Sequence, residues 1–244
     1  MTAGKVIAIT GASRGIGSGL VAELATRGHT IGCLSRKGVG PEDRDIEGDL
    51  LNFACDMEDE GQIVAAFQGL SEQAGRIDVL INNAGLHLEG VSAELAKADF
   101  EKILATNITG PFLACREVRP HMVANGGGLI INIGSFFERL GAKRNLAYSC
   151  SKAAIGALTR TLAVEWAHEK IRLINLAPGF VKTDLNAEYM THESFRNFIQ
   201  RRIPTGDAAE VNEIARLTAL LVAEDLPSLT GETIFIDGGQ SINL

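Results

Sequence analysis

The sequence predicts an α/β fold, a single doubly wound domain with a seven-stranded parallel sheet and helices on both faces. Along most of the 244 residues, short apolar runs alternate with longer segments of helical periodicity. The runs are rich in Ile, Val and Leu and mostly lack polar alternation, which is typical of strands buried on both faces. Because no linker, repeat or low-complexity segment interrupts this order, we expect residues 1–244 to form a single domain.

Seven apolar runs are the predicted strands, and five longer segments are the predicted helices. The strands are Lys5–Thr10, Thr30–Ser35, Leu50–Cys55, Ile77–Ile81, Leu129–Gly134, Ile171–Ala177 and Glu232–Ile236. The helices are Gly15–Gly28, Asp59–Ala74, Ala98–Asn125, Ala147–Glu169 and Ala208–Ala223. Since proline has no amide hydrogen to donate, we expect Gly110–Pro111 to break the third helix into two.

Two segments depart from the alternation of strands and helices. Arg36–Asp49 contains three glycines and a proline, so we expect a polar loop with little helix. Residues from about 180 to 206 form a long insertion before the last helix, with apolar side chains at loosely helical spacing. This pattern is typical of a helical flap over a substrate site, and an ordinary surface segment without a functional role would have the same pattern.

Composition and charge argue against several classes of protein. The net charge of −7 disfavours nucleic acid and anionic membrane as main partners, because both require a basic face. No apolar run approaches the roughly 20 residues of a membrane-spanning helix, and the N-terminus lacks the layout of a secretory signal. The four cysteines form no CxxC pair and no metal-like spacing with the histidines. We therefore predict buried, reduced thiols, no metal site and a cytoplasmic protein.

A glycine-rich turn follows the first predicted strand directly. The segment Thr10–Gly17 reads TGASRGIG. Glycines where a strand turns into a helix let the backbone approach a pyrophosphate, and the helix N-terminus supplies N–H donors and a positive dipole. The spacing is GxxxGxG, whereas the common fingerprint is GxGxxG, but the position after the first strand favours a dinucleotide site.

The end of the second predicted strand indicates which dinucleotide binds. An acidic residue there would bind the ribose hydroxyls of NAD, but this chain has Ser35, Arg36 and Lys37 and no carboxylate. A guanidinium can bind a 2′-phosphate through two parallel hydrogen bonds, and Arg14 in the glycine turn would approach the same phosphate from the other side. We therefore predict NADP(H) as the preferred cofactor, with NAD(H) as the alternative, and Asp56 beside the adenine.

Six motifs resemble the short-chain dehydrogenase/reductase family, in the family's order and over essentially the whole chain. They are TGASRGIG at Thr10–Gly17, NNAG at Asn82–Gly85, Asn107, INIGS at Ile131–Ser135, YSCSK at Tyr148–Lys152 and PGFVKT at Pro178–Thr183. The resemblance implies a Rossmann-type fold and hydride transfer between a nicotinamide cofactor and a carbonyl or alcohol. The catalytic tetrad that it implies is Asn107, Ser135, Tyr148 and Lys152.

The spacing of Tyr148 and Lys152 supports this tetrad on chemical grounds. Four residues apart on a helix, the two side chains share one face, with Cβ atoms about 6 Å apart. A lysine charge ~6 Å away at an effective dielectric near 20 contributes about 2.8 kcal/mol, enough to lower a tyrosine pKa of about 10 by about two units. We expect Tyr148 to be the general acid/base and Ser135 to hydrogen-bond the substrate oxygen. By the resemblance, Asn107 holds a water that links Lys152 to solvent.

The glycine turn and the resemblance together define the expected cofactor contacts. The turn after the fourth strand resembles one that packs beside the adenosine. The segment Pro178–Thr183 resembles the turn that closes on the nicotinamide. The expected cofactor-binding residues are Gly11, Ser13, Arg14, Gly15, Ile16, Gly17, Ser35, Arg36, Asp56, Met57, Asn83, Ala84, Gly85, Tyr148, Lys152, Pro178, Gly179, Val181 and Thr183.

Residues that neighbour the catalytic ones are candidates for the substrate pocket. Phe136 and Phe137 suit apolar contact, and His87 and Glu138 suit a substrate hydroxyl. The alternative is structural, because adjacent aromatic residues after a strand pack more often than they bind. The expected substrate residues are His87, Ser135, Phe137, Tyr148 and Leu185.

Three enzyme functions are compatible with these residues. The leading prediction is an NADP(H)-dependent carbonyl reductase acting on a small ketone or aldehyde. The alternatives are a 3-oxoacyl-thioester reductase and an NAD-dependent sugar or polyol dehydrogenase. A non-catalytic dinucleotide-binding protein is disfavoured, because no member of the tetrad is missing. By the resemblance we also expect a homo-oligomer, a tetramer or a dimer.

Overall fold

The computed structural model describes residues 4–42, 45–184 and 187–243, without the side chains of Tyr189 and Met190. The described strands are β1 Val6–Thr10, β2 Thr30–Ser35, β3 Leu50–Ala54, β4 Val79–Asn82, β5 Gly128–Ile133, β6 Ile171–Pro178, β7 Val181–Lys182, β8 Ala209–Glu210 and β9 Thr233–Ile236. The described α-helices are α1 Gly15–Ala25, α2 Glu60–Ala74, α3 Lys97–Leu104, α4 Gly110–Ala124, α5 Leu146–Trp166, α6 Ala187–Thr191, α7 Glu193–Arg202 and α8 Val211–Ala223.

Seven of these strands form one parallel sheet, which confirms the predicted fold class. The strand order is β3-β2-β1-β4-β5-β6-β9, and every described pairing in it is parallel. The order reverses between β1 and β4. Ligands of open α/β sheets bind outside the carboxyl ends of the strands at such a switch point.

Two apolar layers cover the two faces of the sheet. On one face, α1 and α8 pack against the Ile and Val side chains of β1 and its neighbours. On the other face, α2, α4 and α5 pack against alternate residues of the same strands. Because β1, β2, β4 and β5 are almost entirely buried, they read in the sequence as continuous apolar runs.

The prediction that the third helix divides at Gly110–Pro111 is right in that α4 begins at Gly110, and wrong in that the chain does not leave the helical conformation there. The chain stays helical from α3 to α4 through a π-helical turn, Ala105–Thr109, and Gly110 itself has right-handed helical angles. Pro111 lies in the first turn of α4, where a missing amide hydrogen is tolerated. In a regular α-helix the carbonyl of Asn107 would accept from residue 111, so the proline removes that bond and favours a wider turn.

The two irregular segments differ from each other. The described part of 36–49 contains no helix, as predicted. The segment 180–206 contains α6 and α7 and also β7, which pairs in parallel with β8 and was not predicted. Leu185, a predicted substrate residue, lies outside the described residues. Within the described ranges no helix has the length and apolarity needed to cross a bilayer.

Candidate active site

The glycine turn is shaped so that its backbone can lie against a ligand. Gly11 has φ +66°, and a Cβ there would lie 2.8 Å from the Cα of Ala84. A Cβ on Gly17 would lie 2.1 Å from the Gly11 carbonyl oxygen, so no side chain fits. Arg14 is the N-cap residue of α1, and its side chain makes no capping hydrogen bond to the first turn of the helix. The first-turn N–H groups of a helix have no intrahelical partner, so this cradle fits a pyrophosphate.

Asn83 and Thr10 hold the glycine turn in place. The Asn83 side-chain amide donates to the carbonyls of Thr10 and Gly11 at 3.0 and 3.1 Å. The Thr10 hydroxyl accepts from the backbone N–H groups of Asn83 and Ala84 at 3.0 and 3.1 Å. The ends of β1 and β4 are thereby locked together. Asn83 and Ala84, predicted as cofactor contacts, thus support the turn, and Thr10 is a supporting residue absent from the prediction.

Arg14, within this turn, and Arg36, just after β2, are both exposed. Neither guanidinium has an ion pair or hydrogen bond among the residues that the structure describes. The Ser35 hydroxyl donates to the Val39 carbonyl at 2.6 Å and accepts from its N–H at 3.0 Å, which fixes the turn that carries Arg36. Both cations therefore remain available to an anionic ligand.

The remaining predicted cofactor residues border the same edge of the sheet. The Asp56 carboxylate accepts from the backbone N–H of Glu58 at 3.1 Å. Met57 is buried against Gly110, where a Cβ would lie 2.6 Å from the Met57 carbonyl oxygen. The Thr183 methyl lies 3.8 Å from the Cβ position of Gly15, so the segment after β6 does reach the glycine turn.

A cavity of about 680 Å³ lies beside this region, between α1, α8 and the β7–β8 pair. Gly15 and Thr183 line it, together with Lys182, Glu210 and Val211. No member of the predicted tetrad lines it. The cavity therefore borders the predicted cofactor site and lies away from the predicted catalytic groups.

Ser135, Tyr148 and Lys152 meet at the carboxyl end of β5. The Ser135 side chain lies beside Tyr148, and the Lys152 Nζ lies 5.5 Å from the centroid of the Tyr148 ring. Lys152 is only 5% exposed, and its Nζ donates to the Ile133 carbonyl at 2.8 Å. The structure therefore brings together three of the four predicted catalytic side chains.

The pKa values of Tyr148 and Lys152 differ from the prediction. Burial raises the pKa of Tyr148 to about 12, and the hydrogen bond with Ser135 opposes that rise. Burial lowers the pKa of Lys152 to about 8. The predicted fall in the tyrosine pKa is therefore wrong, because desolvation by burial is the largest effect on it.

Asn107, the fourth predicted member, lies buried in the π-helical turn. Its amide nitrogen donates to the Leu86 carbonyl at 2.8 Å and to the Ser151 hydroxyl at 3.0 Å, and its oxygen accepts from the Leu86 N–H at 2.7 Å. The side chain thus ties the loop after β4 to α5. The predicted role in holding a water remains a prediction.

His87, a predicted substrate residue, lies beside Tyr148. Its ring centroid is 4.5 Å from that of Tyr148, and its Nε2 forms a short hydrogen bond with the Asn145 side chain. A second hydrogen bond joins the loop after β4, which carries His87, to the loop before α5, which carries Asn145: the Gly90 N–H donates to the Arg144 carbonyl at 2.9 Å. Asn145, which sequence reasoning missed, therefore fixes the position of the imidazole.

Five of the ten phenylalanines continue this group of rings away from Tyr148. Phe137 meets the Tyr148 ring edge-on at 5.6 Å between centroids, and Phe136 lies 4.4 Å from Phe137. Phe136 in turn contacts Phe180 at 5.3 Å. Phe195 and Phe198 of α7 then contact Phe180 at 5.8 and 6.0 Å. An aromatic wall, defined as these five phenylalanines, thus joins the predicted catalytic tyrosine to the predicted flap.

Glu138 is the one neighbouring candidate that the structure places elsewhere. Its carboxylate turns away from Tyr148, towards Asn175 of β6 and Thr233 of β9. Burial raises its pKa, and the Arg160 charge is the largest opposing effect. A substrate hydroxyl at Tyr148 would not meet it. Among the described side chains, no group of three His, Cys, Asp or Glu could hold a metal ion.

A glycine cradle at the switch point of a doubly wound sheet, next to a Ser–Tyr–Lys cluster, defines a dinucleotide-dependent oxidoreductase. Comparison with known proteins agrees with this class. The family model for short chain dehydrogenases matches residues 5–194. The chain is 33% identical over 242 residues to the 3-oxoacyl-[acyl-carrier-protein] reductase of Homo sapiens, covering 98% of this chain and 99% of the relative.

Two solved structures have the same fold over nearly their whole length. The gluconate 5-dehydrogenase of Burkholderia cenocepacia, in complex with NADP and tartrate, is 28% identical, with a TM-score of 0.88 over 99% of this chain and 97% of that one. The 3-ketoacyl-(acyl-carrier-protein) reductase of Brucella melitensis, complexed with NADH, is 30% identical, with a TM-score of 0.88 over 98% of this chain and 99% of that one. The chain belongs to the short-chain dehydrogenase/reductase family and is an oxidoreductase of that type.

Proposed function

We propose that the protein is an NADP(H)-dependent reductase of small, largely apolar ketones or aldehydes. The observation that carries the proposal is the cluster of Tyr148, Ser135 and Lys152 beside the glycine cradle. In it, the two hydroxyl-bearing side chains lie next to each other, and the buried Lys152 lies beside the Tyr148 ring. A carbonyl oxygen at this point would receive both hydroxyl hydrogen bonds as negative charge develops on it.

Each of the three side chains has a separate task in this proposal. NADPH, when bound, supplies the hydride. Tyr148 donates its phenolic proton to the carbonyl oxygen, and Ser135 donates a second hydrogen bond that orients the same oxygen. Lys152, held by the Ile133 carbonyl, stabilises the tyrosinate that remains. Asn107 fixes the loop that carries His87. We also propose that the predicted water, which would link Lys152 to solvent, lies next to Asn107.

The preference for NADP(H) rests on Arg14 and Arg36. Both are exposed and lack partners among the described residues, and no carboxylate ends β2. The gluconate 5-dehydrogenase was solved with NADP, which supports this choice, and the 3-ketoacyl reductase was solved with NADH, which keeps NAD(H) as the alternative. An aspartate at the end of β2 would have favoured NAD.

The aromatic wall supports an apolar carbonyl in preference to a sugar. Phe137 and His87 flank Tyr148, and Phe180 continues the wall towards α7. A polyol requires several polar side chains around its hydroxyls, and Glu138, the nearby carboxylate, is turned away. We also assign the flap role to 180–206, because Phe195 and Phe198 contact Phe180 from α7. The second candidate, a 3-oxoacyl-thioester reductase, is supported by the 33% identical human relative.

We further propose a homo-oligomer in the cytoplasm. Val164 on α5 is 82% exposed and Phe112 on α4 is 41% exposed, so both helices present apolar side chains that a second copy of the chain could cover. Free thiols at Cys33, Cys55 and Cys115 are buried, which suits a reducing compartment.

The test is consumption of NADPH and NADH over a panel of carbonyl compounds. The panel holds simple and aryl ketones, diketones, keto sugars and an acetoacetyl thioester, with Tyr148→Phe as the control. Turnover with apolar ketones that prefers NADPH and is lost in the variant supports the proposal. Preference for the thioester selects the second candidate, and preference for keto sugars with NADH overturns both the cofactor and the substrate assignments.

A further inference from the structure

The Glu138 carboxylate lies beneath the turn that begins at Ser135. Its side chain is only 13% exposed. One oxygen accepts from the Asn175 amide at 2.7 Å, and the Thr233 hydroxyl lies 3.4 and 3.5 Å from the two oxygens. The Arg160 guanidinium of α5 lies 3.7 Å away. Three elements, β6, β9 and α5, therefore converge on this one carboxylate.

The helix beside Glu138 leaves room for the carboxylate by omitting a side chain. Gly156 lies in the middle of α5, and a Cβ there would lie 2.3 Å from the Glu138 Oε1 and 2.7 Å from its Cδ. Gly156 has no positive φ, so alanine would suit its backbone. Its lack of a side chain is therefore explained by the carboxylate and by nothing in its own conformation.

Asn175 is oriented by the same carboxylate. Its amide nitrogen donates to Glu138 and, at 3.1 Å, to Thr233, while its amide oxygen has no partner among the described residues. The opposite orientation would set that oxygen against the carboxylate. A Cβ on Gly134 would lie 2.4 Å from the same amide oxygen, so the residue before Ser135 is also shaped around this contact.

Two hydrogen bonds within the turn connect the segment that carries Glu138 to Ser135. The Glu138 N–H donates to the Ser135 carbonyl at 2.9 Å, and the Phe137 N–H donates to the Ser135 hydroxyl at 3.3 Å. The Ser135 side chain in turn lies beside Tyr148 and acts on its pKa. We propose that Glu138 is a positioning residue that acts through Ser135, with Gly156 as the recess that receives its carboxylate. This inference rests on the proposed catalytic role of Ser135.

Two substitutions approach this contact from opposite sides. Glu138→Ala removes the carboxylate, and Gly156→Ala displaces it without touching the turn. We expect each to lower kcat by about tenfold with KM for NADPH changed less than about twofold. Because both act on one contact, Gly156→Ala added to Glu138→Ala should lower kcat by less than about twofold more. Glu138→Gln, which keeps an oxygen for Asn175, should recover most of the activity.

A third variant tests whether Glu138 acts through Ser135. In a Ser135→Ala background, where a low residual rate remains measurable, Glu138→Ala should lower that rate by less than about twofold. Gly141→Ala is the matched control, because it lies in the same loop and a Cβ there would contact nothing within 4 Å. It should leave kcat unchanged. Thermal melting identifies any variant that fails to fold. If Glu138→Ala does not fold, the activities of Gly156→Ala and Glu138→Gln provide the test.

Additive effects of Glu138→Ala and Gly156→Ala would overturn the proposal. An undiminished effect of Glu138→Ala in the Ser135→Ala background would overturn it as well. Failure of the proposed function itself has a different signature, since Tyr148→Phe would then retain activity whatever the outcome at Glu138.

Discussion

Tyr148 and Lys152 occupy one desolvated site, where each is driven towards its neutral form. The pKa of the tyrosine rises to about 12 and that of the lysine falls to about 8, in both cases mainly through burial. Helical spacing correctly predicted that the two side chains share a face. It did not predict the pKa values, because those depend on how deeply the surrounding elements bury the pair.

The low pKa of Lys152 predicts that Lys152→Met stabilises the protein while abolishing turnover. A fall from 10.5 to about 8 corresponds to a cost on the order of 3 kcal/mol for keeping the ammonium charged below pH 8. Loss of the hydrogen bond to Ile133 offsets about 1 kcal/mol of this. Urea unfolding at pH 7 should therefore show a variant more stable by about 1–2 kcal/mol.

The sign of the pH dependence follows from the lowered pKa. Between pH 10.5 and 8, falling pH protonates Lys152 in the unfolded chain before the folded one, so folding loses stability in that window. The advantage of Lys152→Met should therefore shrink as pH rises from 8 to 10.5. A difference in unfolding free energy between the wild type and Lys152→Met that does not vary with pH would contradict the lowered pKa of Lys152.

The cofactor preference is also decided at the scale of single residues. Arg36→Ala should raise the dissociation constant for NADPH about tenfold and leave that for NADH within about twofold, because only NADPH carries the 2′-phosphate. Titration of nicotinamide fluorescence measures both constants. Lys37→Ala is the matched control, since Lys37 is an adjacent cation already paired with Glu42 at 3.0 Å. Equal losses for the two cofactors would show that Arg36 does not bind the phosphate.

At the scale of elements, the sequence was most informative where burial alone determines the pattern. The seven sheet strands lie within two residues of the predicted runs. Five of them, β1, β2, β4, β5 and β6, are almost entirely buried, and strands buried on both faces are continuously apolar. The π-helical turn at Ala105–Thr109 was not predictable from periodicity, since it arises from the proline that follows. The β7–β8 pair was missed because two-residue strands carry no pattern.

The glycine turn predicts a sharp loss of cofactor binding from one methyl group. In Gly17→Ala the added Cβ would overlap the Gly11 carbonyl, 2.1 Å away, and the Asn83 amide, 2.7 Å away. We expect unfolding free energy to fall by about 1–3 kcal/mol and NADPH binding to be lost. Gly61→Ala, in the exposed first turn of α2 with 3.3 Å to its nearest neighbour, is the control. A Gly17→Ala protein with unchanged NADPH affinity would contradict the cradle.

At the scale of the whole molecule, the cysteines distinguish the interior from the surface. Sequence patterns predicted four buried thiols, which is correct for Cys33, Cys55 and Cys115 and wrong for Cys150. Cys150 lies on α5 between the buried residues Ala147 and Ser151, at a position of the helix that faces outwards. A helix with many small residues gives a weak amphipathic signal, so its exposed positions were not evident.

These thiols report on the integrity of the fold. Burial raises the pKa of each buried thiol to about 12, so neither access nor thiolate formation favours reaction. A thiol-specific chromogenic reagent at pH 8 should therefore modify one cysteine rapidly in the native protein and all four in denaturant. Cys150→Ser should abolish the rapid phase. Rapid reaction of two or more native thiols would contradict the packing described for the core.

The most direct measurement of the central claim is isotope transfer from the cofactor to the product. NADPH deuterated at the reactive nicotinamide carbon would be incubated with an apolar ketone, and the product alcohol analysed by mass spectrometry. The account predicts one deuterium at the carbinol carbon with the wild-type protein and none above background with Tyr148→Phe, at equal NADPH affinity. Equal transfer by the two proteins would contradict the assignment of Tyr148 as the proton donor.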